Sequence, residues 1–351
     1  MTMHYLQALS EAVGVSGQED AVRKIVLEAI SGHVDTIRID PMGSVTAIKR
    51  GTGDNLPRVM LAAHMDEIGF MVTGFDSNGL IRFTPLGGID ERILPALRVK
   101  IGTDGVQGVI IWTPIHKNRE QKIVKQSNLR IDIGASNKDG VSSKVKKGDR
   151  IVFDSAFYEI GDDVLRGKAF DDRAGCSMLI DLLQGDNYPV DIVVAFTVQE
   201  EIGLRGALVA GNTLKPDMAL ILEGTTANDM PDPTADPDVA SSPNPTARMG
   251  AGPVLTVMDR SMIADPRLLN FMRATAEKNN IPYQLKTQLG GATDGGNIHT
   301  SGVGVPTSVV SLPCRYIHTP SAYLNKNDYR HTFSLVSHAL GAMTWDVLAR
   351  G

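Results

Sequence analysis

Cysteine is almost missing from this chain: only Cys176 and Cys314 occur among 351 residues. Two thiols cannot build a disulfide framework or a Cys-x-x-Cys metal site, so any metal chemistry must use oxygen and imidazole ligands. The count fits a reducing, cytoplasmic setting. Aromatic residues make up 5%, with Trp112 and Trp345 the sole tryptophans, which is poor material for a sugar-stacking cleft. No stretch approaches the roughly 18 consecutive apolar residues of a membrane span. Met1-Thr2-Met3-His4-Tyr5 lacks the basic and apolar regions of a secretory signal. The net charge of −5, without a long basic run, leaves no electrostatic footprint for nucleic acid. Also absent are a His-Glu-x-x-His helix, a Gly-x-Ser-x-Gly elbow and a phosphate loop ending in Gly-Lys-Ser/Thr.

What is present is a set of short apolar runs, each followed by an acidic or imidazole residue. Val59–Ala63 precedes His64, and Val193–Val198 precedes Glu200 and Glu201. Met218–Leu222 precedes Glu223, and Pro306–Leu312 comes shortly before His318. Runs of this length read as strands buried on both faces. In an open α/β sheet, ligands bind beyond the carboxyl ends of such strands. A further carboxylate, Asp171, lies in Gly167-Lys168-Ala169-Phe170-Asp171-Asp172-Arg173. Oxygen and imidazole donors converging there suit two divalent cations, zinc or cobalt first and manganese also.

The order of elements supports one interrupted α/β unit. Ser16-Gly17-Gln18-Glu19 reads as a capping box ahead of helically spaced Val22, Ile25, Val26, Ala29 and Ile30. A hairpin is expected over 36–50, and a strand over 58–64. From about 69 to 163, β-like runs are broken by turns such as Ser77-Asn78-Gly79 and Gly87-Gly88, which predicts an inserted all-β, barrel-like domain. Helix and strand then alternate, ending in a helix over about 331–349. The expected division is therefore 1–68 with 164–351 as the catalytic domain and 69–163 as the insert. Residues 230–253, rich in Pro, Asp and Ser, read as a surface loop.

Two residue pairs carry chemistry of their own. In His64-Met65-Asp66 the imidazole and the carboxylate share a strand face, so Asp66 can orient the ring. Adjacent Glu200 and Glu201 repel each other and diverge, which divides their labour: one on a metal, the other facing a water as general base. A carboxylate such as Asp171 can bridge two metals roughly 3.5–4 Å apart. The glycine-rich Leu289–Asn297 segment has no Lys, so it reads as a tight turn that brings backbone close to substrate.

These motifs resemble the tetrahedral (TET) dinuclear metallo-aminopeptidases, the glutamyl and deblocking aminopeptidase family, along nearly the whole chain. The anchors are Ala63–Phe70, Lys168–Arg173, Gln199–Gly206, Gly291–Gly296 and Arg315–His318. The resemblance implies a mixed metallopeptidase sheet of phosphorylase/hydrolase type, flanked by helices and carrying an inserted β-barrel. It implies one metal on His64, Asp171 and Glu223, and a second on Asp171, Glu201 and His318. Asp66 orients His64, and Glu200 is the general base. It further implies short peptide substrates, and a homo-oligomer of dimer building blocks arranged as a tetrahedral dodecamer through the insert. Two positions depart from the family pattern: Glu223 stands where Asp is common, and Ala292 where a third Gly is usual.

Other readings stay open at this point. Glu200 with Glu223 or Asp66 could serve a metal-free, endoglucanase-type glycosidase as an acid/base pair. The chain could be a non-enzymatic scaffold of the same fold. Within the metallohydrolases, an acylase or carboxypeptidase would use similar ligands.

Overall fold

The computed structural model describes residues 3–112, 115–117, 123–230 and 247–349. Helices α1 (Leu6–Glu11) and α2 (Asp20–Ile30) precede β1 (Thr36–Ile39), β2 (Val45–Lys49) and β3 (Arg58–His64). Next come β4 (Gly69–Phe75), β5 (Ile81–Leu86), β6 (Arg98–Ile101), β7 (Val106–Ile111), β8 (Arg130–Asp132), helix α3 (Lys138–Ser142) and β9 (Arg150–Phe153). The chain continues through β10 (Tyr158–Ile160), β11 (Val164–Gly167), α4 (Phe170–Gln184), β12 (Asp191–Thr197), α5 (Arg205–Leu214) and β13 (Met218–Thr226). It closes with β14 (Val254–Thr256), α6 (Pro266–Lys278), β15 (Gln284–Lys286), α7 (Gly295–Ile298), β16 (Thr307–Arg315), β17 (Ala322–Asn325) and α8 (Lys326–Ala342).

The strands form an eleven-stranded mixed sheet and a separate closed barrel. In the sheet, β12, β3, β13 and β16 are neighbours and run parallel, so their carboxyl ends share one edge. The period-2 alternation of β3 explains why its whole run is apolar. Val59, Leu61 and Ala63 enter the core that also holds residues of α2, α4 and α8, while Met60 and Ala62 enter the opposite core with residues of α5 and α7. Both faces are covered, and charge can reach the solvent side only where the strands stop.

The barrel follows the order β4-β5-β8-β7-β6-β9. Its interior is apolar and centred on Phe70, whose ring lies edge-to-face with Phe83 at 5.1 Å and Phe153 at 5.6 Å. The barrel strands span Gly69–Phe153. β10, which lies inside the expected β-rich stretch, pairs instead with β11 at the edge of the large sheet.

Two local expectations change. The Ser16 hydroxyl does not cap α2: the helix starts at Asp20 behind Glu19, with no side-chain cap, because Ser16 is spent on a distant carboxylate described below. The last helix begins at Lys326, where the Asn325 side chain accepts from the amides of Asn327 and Asp328, and it ends at Ala342 before a 3-10 turn at Trp345–Leu348. Residues 231–246 of the expected Pro/Asp-rich loop lie outside the described residues. Among the described residues, no helix is long and apolar enough to cross a membrane.

Candidate metal centre

The seven singled-out residues meet at the carboxyl edge of the parallel strands. His64 closes β3 in register with Thr197, the last residue of β12. Glu200 and Glu201 sit in the turn beyond, Glu223 lies on β13, Asp171 in the first turn of α4, and His318 in the turn after β16. His64 Nε2 lies 3.4 Å from Asp171 Oδ1, 3.6 Å from Glu223 Oε2 and 3.9 Å from Glu200 Oε2. His318 Nε2 lies 3.2 Å from Asp171 Oδ2 and 3.3 Å from Glu201 Oε1. Asp171 thus turns one carboxylate oxygen to each imidazole. Its close approach needs Gly224, since a Cβ there would lie 2.8 Å from the Asp171 side chain.

Among the described residues, two groups have donor atoms mutually within 4.8 Å: Asp171, Glu201 and His318, and His64, Asp172 and Glu223. Asp172 is already engaged elsewhere. Its carboxylate accepts from the amides of His64 (3.2 Å) and Gly175 (3.0 Å), so it braces the end of β3 and leaves Asp171 to face the imidazoles. The donor set fits a pair of divalent cations. Five carboxylates, Asp66, Asp171, Glu200, Glu201 and Glu223, face two imidazoles in a largely buried cluster, an excess of negative charge that needs cationic partners. Glu201 Oε1 is buried without a hydrogen-bond partner, as a ligand atom would be.

Both imidazoles have their other nitrogen fixed by a main-chain carbonyl. His64 Nδ1 is 3.0 Å from the Asp66 carbonyl oxygen, and His318 Nδ1 is 2.8 Å from that of Gly88. With Nδ1 donating, Nε2 is left to bind on each ring. The Gly88 carbonyl comes from the segment after β5, so the barrel contributes to the site. Sequence reading marked Gly87-Gly88 only as a turn; the positive φ of Gly87 (89°), beside Glu201, is the physical reason for glycine there.

Asp66 reaches beyond the ring of His64. Its Oδ1 is 3.6 Å from His64 Nδ1 but only 2.9 Å from the Glu200 amide, while Oδ2 accepts from the Glu201 amide at 3.2 Å. The carboxylate therefore holds the Glu200–Glu201 turn by its backbone while staying in ion-pair reach of the His64 ring, whose Nδ1 hydrogen-bonds the Asp66 carbonyl.

Electrostatics follow from burial and crowding. Burial pushes Glu200 well above the usual carboxylate range, and the neighbouring Asp294, Glu201 and Asp171 push it further against the pull of His64. Burial likewise raises Glu223 and Glu201. Burial would lower His64, but Glu200, Asp171, Asp66 and Glu223 hold it well above an ordinary histidine. His318, also opposed by burial, is driven up to about 11 by Asp171 and Glu201. Burial opposes ionisation of Asp171 too, yet the two imidazoles hold it far below its usual value.

Behind the cluster lies an ionic network that sequence reading did not isolate. Buried Glu67 receives Lys168 Nζ at 2.7 Å and Arg173 at 3.1 Å. The same two cations donate to the carbonyls of Leu9, Ala12 and Gly14, which ties the N-terminal segment to the back of the site. Burial lowers Lys168 to about 8 against the opposing pull of Glu67. Elsewhere at the cluster, buried Asp294 accepts from the Thr197 hydroxyl, and its amide lies 3.4 Å from Glu223 Oε1. In front of the cluster opens a cavity of about 750 Å³, lined by Asp171, Glu200, Glu201, Glu223 and His318 and by the Gly290–Thr293 segment. Among the described residues, no Phe, Tyr or Trp lines it.

A family model of M42 glutamyl aminopeptidases matches residues 43–335. The chain belongs to this family. The M42 chain is thus a peptide hydrolase of the metal-dependent aminopeptidase class. It is 36% identical to a TET aminopeptidase from a marine-sediment Thaumarchaeota archaeon, covering 99% of this chain and 98% of that one with a TM-score of 0.91. The TET1 peptidase of Pyrococcus horikoshii, which can assemble into a tetrahedron or a large octahedral shell, is 29% identical over 97% of this chain and 100% of its own, with a TM-score of 0.85. A Thermotoga maritima protein named an endoglucanase is 36% identical over 96% of each chain, with a TM-score of 0.78. The glycosidase reading of this M42 chain falls nonetheless. Its carboxylates are engaged with imidazoles as a donor cluster, and its cavity has no aromatic platform.

Proposed function

We propose that this M42 aminopeptidase removes N-terminal residues from short peptides by hydrolysis with a water that two divalent cations would activate. The observation that carries the reading is the placement of Asp171, one oxygen toward His64 and the other toward His318. His64, Asp171 and Glu223 would hold one ion, and Asp171, Glu201 and His318 the other. Such ions supply Lewis acidity that lowers the pKa of water and polarises the scissile carbonyl. Zinc or cobalt suits these oxygen and nitrogen donors, and manganese is the next choice. Glu200 accepts the proton of the water and returns it to the leaving amine. Asp66 fixes where Glu200 stands. The excess carboxylate charge favours a free α-amine at the substrate's end, which separates an aminopeptidase from an acylase.

The domain division we favour is 1–68 with 164–351 around the cavity and 69–163 as an insert, whose last strand, β10, runs back onto the edge of the large sheet. Through that insert, copies of the chain would build a homo-oligomer, with the dimer as building block and a tetrahedral dodecamer as the closed form. The cytoplasm suits two buried free thiols. Steady-state assays of Glu200→Gln on aminoacyl-nitroanilides, with metal analysis, test the reading. Turnover should fall by roughly 10²–10⁴-fold with bound metal retained. Near-normal turnover, or equal cleavage of N-acetylated peptides, would remove it.

A further inference from the structure

We infer that Ser16 is a positioning residue for the general base, acting through Asp66. The inference rests on the role proposed above for Glu200. The sequence pattern around Ser16 reads as a helix cap, yet the hydroxyl is turned away from α2. Ser16 is 1% exposed, and its Oγ donates to Asp66 Oδ2 at 2.6 Å. The same carboxylate accepts from the Glu200 amide through Oδ1 and from the Glu201 amide through Oδ2. The serine hydroxyl is therefore a third donor on the carboxylate that holds the amides of Glu200 and Glu201.

The segment carrying Ser16 is itself fixed on several sides. Arg150 Nε, on barrel strand β9, donates to the Ser16 carbonyl at 3.0 Å. Val15 bridges to Glu67, and the Glu67 amide donates to the Gly14 carbonyl at 2.9 Å. Glu19, the other half of the apparent cap, accepts from the Gly17 amide at 2.7 Å and from the Gln199 amide at 3.3 Å. Both polar ends of the Ser16–Glu19 segment thus reach the loop that bears the base, and neither reaches a metal-donor atom.

A hydrogen bond to a buried carboxylate is charge-assisted and directional. Without the hydroxyl, Asp66 Oδ2 keeps only the longer contact to the Glu201 amide, and the carboxylate is free to rotate about Oδ1. Glu200 then loses its fixed position relative to the attacking water, while the Ser16 hydroxyl itself bonds Asp66 and none of the donors His64, Asp171, Glu223, Glu201 and His318. The loss should appear in kcat and leave KM and metal content in place.

The test uses the full-length, metal-loaded enzyme with Ser16→Ala and with Ser16→Cys, a near-isosteric change to a weak donor that serves if the alanine variant does not fold. We expect kcat to fall roughly 10- to 100-fold, with KM within about 3-fold of the parent and bound metal unchanged. On an Asp66→Asn background the same change should add less than about 3-fold, since its route is already broken. Unchanged kcat in Ser16→Cys, additive losses in the double variant, or loss of metal in step with kcat would each overturn the inference. Glu200→Gln assayed in parallel separates the two proposals: a live Glu200→Gln enzyme removes the general base itself, whereas a dead one beside a fully active Ser16→Cys removes only the role of Ser16.

Discussion

The barrel and the edge of the large sheet bury similar apolar interiors but treat charge in opposite ways. Inside the barrel, Phe70, Phe83 and Phe153 pack with aliphatic neighbours; among the described residues of 69–153 no charged side chain is buried, and pairs such as Asp90–Arg92 and Asp76–Arg82 are partly or largely exposed. At the carboxyl edge of β3, β12 and β13, His64, Asp66, Glu67, Lys168, Asp172, Arg173, Glu223 and Asp294 are all buried. Desolvating so many charges is costly unless each is paired or bound to a cation. The difference teaches that this fold gathers its electrostatic cost in one place, where catalysis uses it, and leaves the insert to hydrophobic packing.

The comparison can be broken most strongly by stripping metal. Chelation should abolish turnover and lower the Tm of the full chain, and adding back zinc, cobalt or manganese in separate aliquots should restore both. At a free ion concentration 1,000-fold above Kd, the restored stability amounts to about 4 kcal/mol per ion. Scanning calorimetry with and without each metal reads this directly, and persistent activity after complete chelation would contradict it. Next in size is Lys168→Met, which removes one of two cations from buried Glu67 and cuts the tether to the Ala12 carbonyl. Denaturant titration should show a loss of about 3–5 kcal/mol.

Ile131→Ala, inside the barrel on β8, probes the other region. It should cost about 2–5 kcal/mol in the same titration while kcat per folded molecule stays within about 2-fold. A large loss in kcat there would erase the distinction between the two regions. At the bottom of the range, Arg92→Ala removes an exposed partner of Asp90 and should leave the melting curve unchanged.

Much of this was legible because the fold announces itself in runs. Val59–Ala63 and Met218–Leu222 are apolar at every position, as strands covered on both faces must be, and a charged residue after such a run marks the sheet's ligand-binding edge. The roles of main-chain atoms were not legible. The Gly88 carbonyl that fixes His318 belongs to a glycine with no side chain to read, 230 positions away. Asp172 looks like the equal of Asp171 in sequence, and only the direction of its carboxylate, toward the His64 and Gly175 amides, separates brace from ligand. The capping-box pattern misled for a related reason. Ser16 and Glu19 have local partners available, but amides and a carboxylate brought close by folding compete for them, and sequence spacing carries no record of that competition. β10 was assigned to the insert because short exposed strands look alike whichever sheet they join.

The dispersion of the donors along the chain has one last consequence. Helix α4, the β3 edge, the β12 turn, β13 and the turn after β16 must all be docked before any single ion finds its full set of ligands. Contacts between such distant segments form late, after loop-closure entropy has been overcome. During refolding, catalytic competence should therefore return well behind the circular-dichroism signal, and its arrival would time the moment when the C-terminal third of the polypeptide settles onto the rest.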